Sequence, residues 1–121
     1  MKTFVNTAAQ GEIIIRRLAR GTIKREDCTP LAKEGGRYII GHSETGHHHC
    51  LSRDEGCDVM VLNKAPEGMR ILYAILDNPV SLDHHRDHDT HESIMLEPGE
   101  YEFRIAREFD PYAALARRSA D

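Results

Sequence analysis

Residues 101–109 constrain the fold more than any other stretch of this chain. Tyr101, Phe103, Ile105, Arg107 and Phe109 alternate with Glu102, Arg104, Ala106 and Glu108. Successive side chains of a strand point to opposite faces, so this period-two pattern predicts a strand with one face inward and one in water. Just ahead of it, Glu97-Pro98-Gly99-Glu100 suits a type II turn, and Ser93 to Leu96 reads as the other arm of a hairpin.

Shorter β-branched runs repeat along the chain between glycines. Glu12 to Leu18 is one, opened by Gly11 and closed by Gly21. Arg37 to Ile40 follows the Gly35-Gly36 turn signal. His47 to Ser52 and Cys57 to Leu62 come next, with Gly41 and Gly46 bracketing a loop before them. Met69 to Leu76 is apolar on both parities beyond Arg70, which predicts a central strand covered on both faces. Asp110 suits a cap and Pro111 a first helical position, so a short closing helix is expected from Tyr112 to Arg118. About seven strands, tight turns and few helical segments for crossovers predict one all-β domain over residues 1–121. The expected architecture is a small β-barrel or β-sandwich with a short C-terminal helix.

A chain of 121 residues has room for one modest core. Its net charge of −4, with dispersed basic residues, gives no electrostatic case for nucleic acid or an anionic membrane. The apolar runs are too short to span a bilayer. Met1 to Asn6 soon meets Gln10 and Glu12, without the apolar core of a signal peptide, so the cytoplasm is the expected compartment. Cys28, Cys50 and Cys57 are odd in number and lack C-x-x-C spacing. Free thiols are expected, with a Cys50–Cys57 bridge as the alternative.

The chemistry-bearing feature is the placement of histidine. All eight fall in two clusters, His42 to His49 and His84 to His91. Imidazole is a common ligand of zinc, nickel, copper and iron, so two separated clusters point to a metal. His47 and His49 form an H-x-H pair whose rings share a strand face, with His48 and Cys50 opposite; His88 and His91 form an H-x-x-H pair. If the clusters meet at one rim, His47, His49, His88 and His91 supply four nitrogens for one divalent transition metal. Zinc is the first expectation, because four imidazoles suit its tetrahedral geometry; nickel, iron and manganese are alternatives. Glu44, Asp87, Asp89 and Glu92 are candidates for an oxygen ligand or for hydrogen-bond acceptors behind the imidazoles. His42, His84 and His85 have no pair-forming spacing to the others. The bland reading is that His47-His48-His49 and His84-His85 are exposed polar loop residues that hold no ion.

Gly41, His47 and His49 reproduce the start of the first cupin motif, G-x5-H-x-H, which implies a cupin-like barrel as one form of the fold. The Glu that follows, Glu55, is too distant for that motif, and the histidines precede the Pro98-Gly99 turn. The cupins' dioxygenase, isomerase and storage functions are therefore not carried over. A resemblance covering most of the chain from Gly41 onward lies elsewhere. Gly41 to His49, His88-Asp89-Thr90-His91-Glu92, Glu97 to Glu102 and Arg107 to Pro111 resemble small proteins of bacteria and their phages or prophages. Their shared pattern is T-G-H-x-H, H-x-x-H, a Pro/Gly turn with Tyr, and R-E-[YF]. It singles out the same four histidines and implies association with a phage or mobile element, without an activity.

Catalytic motifs are otherwise scarce. G-x-S-x-G, the P-loop, G-x-G-x-x-G and H-E-x-x-H are missing. Cys50 beside His49 is poorly placed for a Cys–His nucleophile, since neighbours on a strand face opposite ways. Arg107, on the apolar parity of its strand, is expected to form an ion pair, and Tyr38, Tyr73 and Tyr101 to be core aromatics with a hydroxyl at the rim. The expected function is a metal-binding protein in which one ion pins two loops. The competing readings are a metal-dependent enzyme, hydrolytic or cupin-type, with an open position and Glu44 or Asp89 as base, and an interaction module without metal. Self-association through an edge strand gives a weak expectation of a homodimer.

Overall fold

The computed structural model describes residues 6–42, 48–84 and 93–106. The strands are β1 (Thr7–Gln10), β2 (Ile13–Leu18), β3 (Cys28–Pro30), β4 (Ile39–Gly41), β5 (His49–Leu51), β6 (Cys57–Leu62), β7 (Met69–Leu76), β8 (Val80–His84), β9 (Ile94–Leu96) and β10 (Gly99–Ala106). They form two sheets in the orders β1-β2-β10-β7-β6-β3 and β4-β5-β8-β9. Every ladder is antiparallel. Among the described residues the only helical element is a 3-10 turn at Arg25–Asp27.

Strand alternation explains how the two sheets share one core. Ile13 and Ile15 of β2, Leu72, Ala74 and Leu76 of β7, and Tyr101 and Phe103 of β10 face one way from the larger sheet. They form a single cluster with Ile40, Leu51, Val80, Leu82, Ile94 and Leu96 of the smaller one. Burying each such large apolar side chain contributes about 1.5–3 kcal/mol, so the contact between sheets is the main driving force of the fold. The apolar run of β7 is explained by its place between β10 and β6. Ile71, on its other parity, is buried as well.

The expected architecture needs correction. No ladder joins the two sheets among the described residues, and β1, β3, β4 and β9 are left as edges, so the barrel is not closed. The cupin-like barrel falls with it; the arrangement is two open sheets stacked on one core. The helix expected over residues 112–118 lies outside the described residues, as do Arg107 and Phe109.

The hairpin expected around Pro98-Gly99 is also corrected. β9 belongs to the smaller sheet and β10 to the larger, so the turn carries the chain from one layer to the other. Gly99 has φ 151, a region that L residues with a side chain rarely adopt and outside the type II range. The bend is held from both sides. The Tyr101 hydroxyl donates to the Glu97 carbonyl at 2.6 Å, and Arg17 Nη2 donates to the Pro98 carbonyl at 2.7 Å.

Candidate functional site

β4 ends at Gly41, β5 starts at His49, β8 ends at His84 and β9 starts at Ile94. The registers Gly41↔His49, His49↔His84 and Leu82↔Ile94 set all four at the same end of the smaller sheet. That end anchors both histidine clusters. Of the four histidines nominated as ligands, His49 lies in the described part. His47, His88 and His91 lie outside it, together with His85, Glu44, Asp87, Asp89 and Glu92.

His49 and His84 are directly opposite across the β5–β8 ladder. Side chains at such positions start about 4.5–5.5 Å apart, within stacking reach for flat rings. The two imidazoles stack with centroids 3.9 Å apart and planes 4° from parallel. His84 continues the inward row of Val80 and Leu82 and is buried, and His49 is half-buried. The pair thus forms a polar end to an apolar core.

A third residue reaches this end from the opposing sheet. Gln10, the last residue of β1, is 2% exposed. Its Nε2 donates to the Leu82 carbonyl at 2.8 Å, and its Oε1 lies 2.8 Å from His49 Nδ1. Gly41 makes the close approach sterically feasible. A Cβ there would stand 2.7 Å from Ile13 Cδ1 and 3.3 Å from His49 Cδ2.

His42 and His48 form a separate arrangement. Their rings meet edge to face at 5.1 Å, and His42 Nε2 lies 2.6 Å from Glu34 Oε2. His48 therefore turns to His42 rather than to the His49 stack, in keeping with strand alternation.

A metal must lie near the plane of each imidazole that binds it, along the nitrogen lone pair. Two parallel rings 3.9 Å apart cannot both aim lone pairs at one ion, so the stack itself is not arranged to hold an ion between His49 and His84. Among the described residues no three His, Cys, Asp or Glu side chains gather as a metal-holding group.

The thiols do not extend the site. Cys28, Cys50 and Cys57 are free, so no Cys50–Cys57 bridge forms. Burial pushes the Cys50 thiol up from its ordinary value, which disfavours the thiolate that a nucleophile needs.

The far face of the larger sheet holds a cleft of about 160 Å³ lined by Arg16, Thr22, Lys24, Asp27, Tyr73 and Glu102. Glu102 is buried there, bonded to Arg104 Nε at 2.7 Å and Arg16 Nη2 at 3.3 Å. Tyr73 is therefore a cleft residue and not the core aromatic expected, whereas Tyr101 is buried in the core.

Sequence reasoning missed Gln10 and gave His84 no role. The signal for His84 was present: Val80, Leu82 and His84 share a parity in Val80-Ser81-Leu82-Asp83-His84. Gln10 had no local signal, because its partners are 39 and 72 residues away.

These features define an all-β protein of two antiparallel sheets with a histidine-rich sheet end. The chain belongs to the family described as Domain of unknown function (DUF8820), whose pattern matches residues 9–106. No curated protein and no solved structure matches the chain. Among the described residues, no helix is long and apolar enough to cross a membrane.

Proposed function

We propose that this is a metal-binding protein in which His47, His49, His88 and His91 hold one divalent transition metal ion, zinc first. The observation that carries this reading is the His49↔His84 register, which ties the two histidine clusters to one sheet end. The H-x-H spacing in the sequence is the ground for pairing His47 with His49, since residues two apart on a strand share a face. The environment of His49 adds support. A ligand imidazole is commonly held through its second nitrogen by a neighbouring acceptor, and Gln10 Oε1 stands at that position.

In this reading the ion is structural. Four protein nitrogens complete a tetrahedral sphere and pin the β4–β5 and β8–β9 connections together. The cytoplasm, where thiols stay reduced, suits the three free cysteines. Association with a phage or mobile element rests on the sequence resemblance alone.

Thermal unfolding in the presence and absence of a chelator tests the structural role. Chelation should lower Tm and zinc should restore it, because binding free energy to the folded state adds to stability. A Tm unchanged by chelation, in protein shown to carry metal, would instead favour a metal-dependent enzyme with an open coordination position.

A further inference from the structure

We propose that Gln10 is a positioning residue that fixes the tautomer and ring orientation of His49, leaving the lone pair on Nε2. The Leu82 carbonyl can only accept a hydrogen bond. The Gln10 atom 2.8 Å from it must therefore be the amide nitrogen, and this settles which way the Gln10 amide points. Its oxygen then faces His49 Nδ1 at 2.8 Å. An amide oxygen has no proton to give, so the neutral imidazole carries its hydrogen on Nδ1 and donates it to Gln10. The lone pair sits on Nε2.

The relay is built rather than incidental. Gln10 is 2% exposed, so both ends of its amide need partners, and it finds them across the gap between the sheets. The His84 ring lies flat against His49 and limits rotation about the Cβ–Cγ bond. Gly41 leaves room on the other side. Gln10 and the His84 ring thus fix one imidazole, and the ordered ring presents Nε2 without the entropy cost of a mobile side chain. The consequence for metal binding rests on the function proposed above: His49 binds through Nε2, and Gln10 holds its other nitrogen. Replacing such a supporting group typically weakens metal binding about 10–100-fold.

Long-range 1H–15N NMR of the metal-free protein at neutral pH reads the tautomer directly, and zinc titration of the same samples reads affinity. Wild-type His49 should show the Nδ1–H form. Gln10→Met, which removes both polar ends at similar volume, should shift His49 toward the Nε2–H form and weaken zinc binding about tenfold or more. Gln10→Glu loses the donor to the Leu82 carbonyl and should be less stable, but it keeps an acceptor opposite Nδ1; folded protein should keep a proton on Nδ1, with an affinity nearer to wild type than that of Gln10→Met. An Nε2–H form in the wild type, or an unchanged tautomer in folded Gln10→Met, would overturn the proposal. The metal reading fails separately: it falls if His49→Ala binds zinc as tightly as wild type, whichever tautomer is seen.

Discussion

His49 of β5 and His84 of β8 face each other across one ladder with their rings stacked at 3.9 Å, so the two cannot both aim a ring nitrogen at one ion; in the reading proposed above His49 is the ligand and His84 its support. This gives the two residues separable roles. His84→Ala should remove a buried ring contact and lower stability by about 2 kcal/mol, while leaving the metal stoichiometry at that of wild type. His49→Ala should lose the ion. Urea unfolding and metal analysis on both variants check the pair of outcomes.

Gly41 packs against Ile13 of the opposing sheet and against His49 of this pair. A methyl group there would meet Ile13 Cδ1 at 2.7 Å, inside a core in which Ile13 is 1% exposed. Gly41→Ala should therefore cost about 1–3 kcal/mol through overpacking. Ile13→Val removes the offending carbon, so the double variant should be less destabilised than the sum of the two single changes. A double-mutant cycle by denaturant unfolding measures that coupling.

Glu102 is almost fully buried on the far face, yet both of its guanidinium partners are about half exposed. Glu102→Ala removes charge-assisted hydrogen bonds without burying an unpaired charge, since water can take over Arg16 and Arg104. The expected loss is about 2 kcal/mol, read by chemical unfolding at neutral pH. It should change neither metal content nor affinity, because the cleft lies on the opposite side of the larger sheet from the His49–His84 pair.

Burial pushes the Tyr101 hydroxyl and the Cys50 and Cys57 thiols up from their ordinary values. For such groups the protonated form is favoured in the folded state. Their contribution is present below the unfolded pKa and is lost as pH rises through the folded one. Stability should therefore fall from about pH 8.5 for the thiols and from about pH 10 for the tyrosine. Tyr101→Phe should cost about 1 kcal/mol at neutral pH, through its bond to Glu97, and flatten the upper part of that decline. Native Cys50 should react slowly with iodoacetamide at pH 7.5 and rapidly in denaturant.

What was legible in the sequence follows from the range of the forces involved. β6 and β7 fall where the apolar runs place them, Cys57–Leu62 and Met69–Leu76, because a buried strand writes its face into consecutive residues. β1 is made of Thr, Ala and Gln and gains its strand character from pairing with β2, so no local propensity announces it. β3 ends in Pro30, which suits an edge strand but hides a three-residue one from pattern reading. The sheet change between β9 and β10 was illegible for a related reason: Pro-Gly marks a reversal of direction, and only the packing of the layers decides which sheet receives the next strand. At the site, the histidine clusters were plain from spacing. The Gln10–His49 contact was not, since it depends on how two sheets stack.

Elemental analysis by mass spectrometry of tag-free protein asks whether the two histidine clusters share one ion. Wild type should carry about one equivalent of a single transition metal per chain, and His47→Ala and His91→Ala should each lose it, since removing either cluster's ligand opens the sphere. Metal-free wild-type protein that is folded and cannot be loaded with zinc, or a metal content that survives both substitutions, would rule out a shared ion.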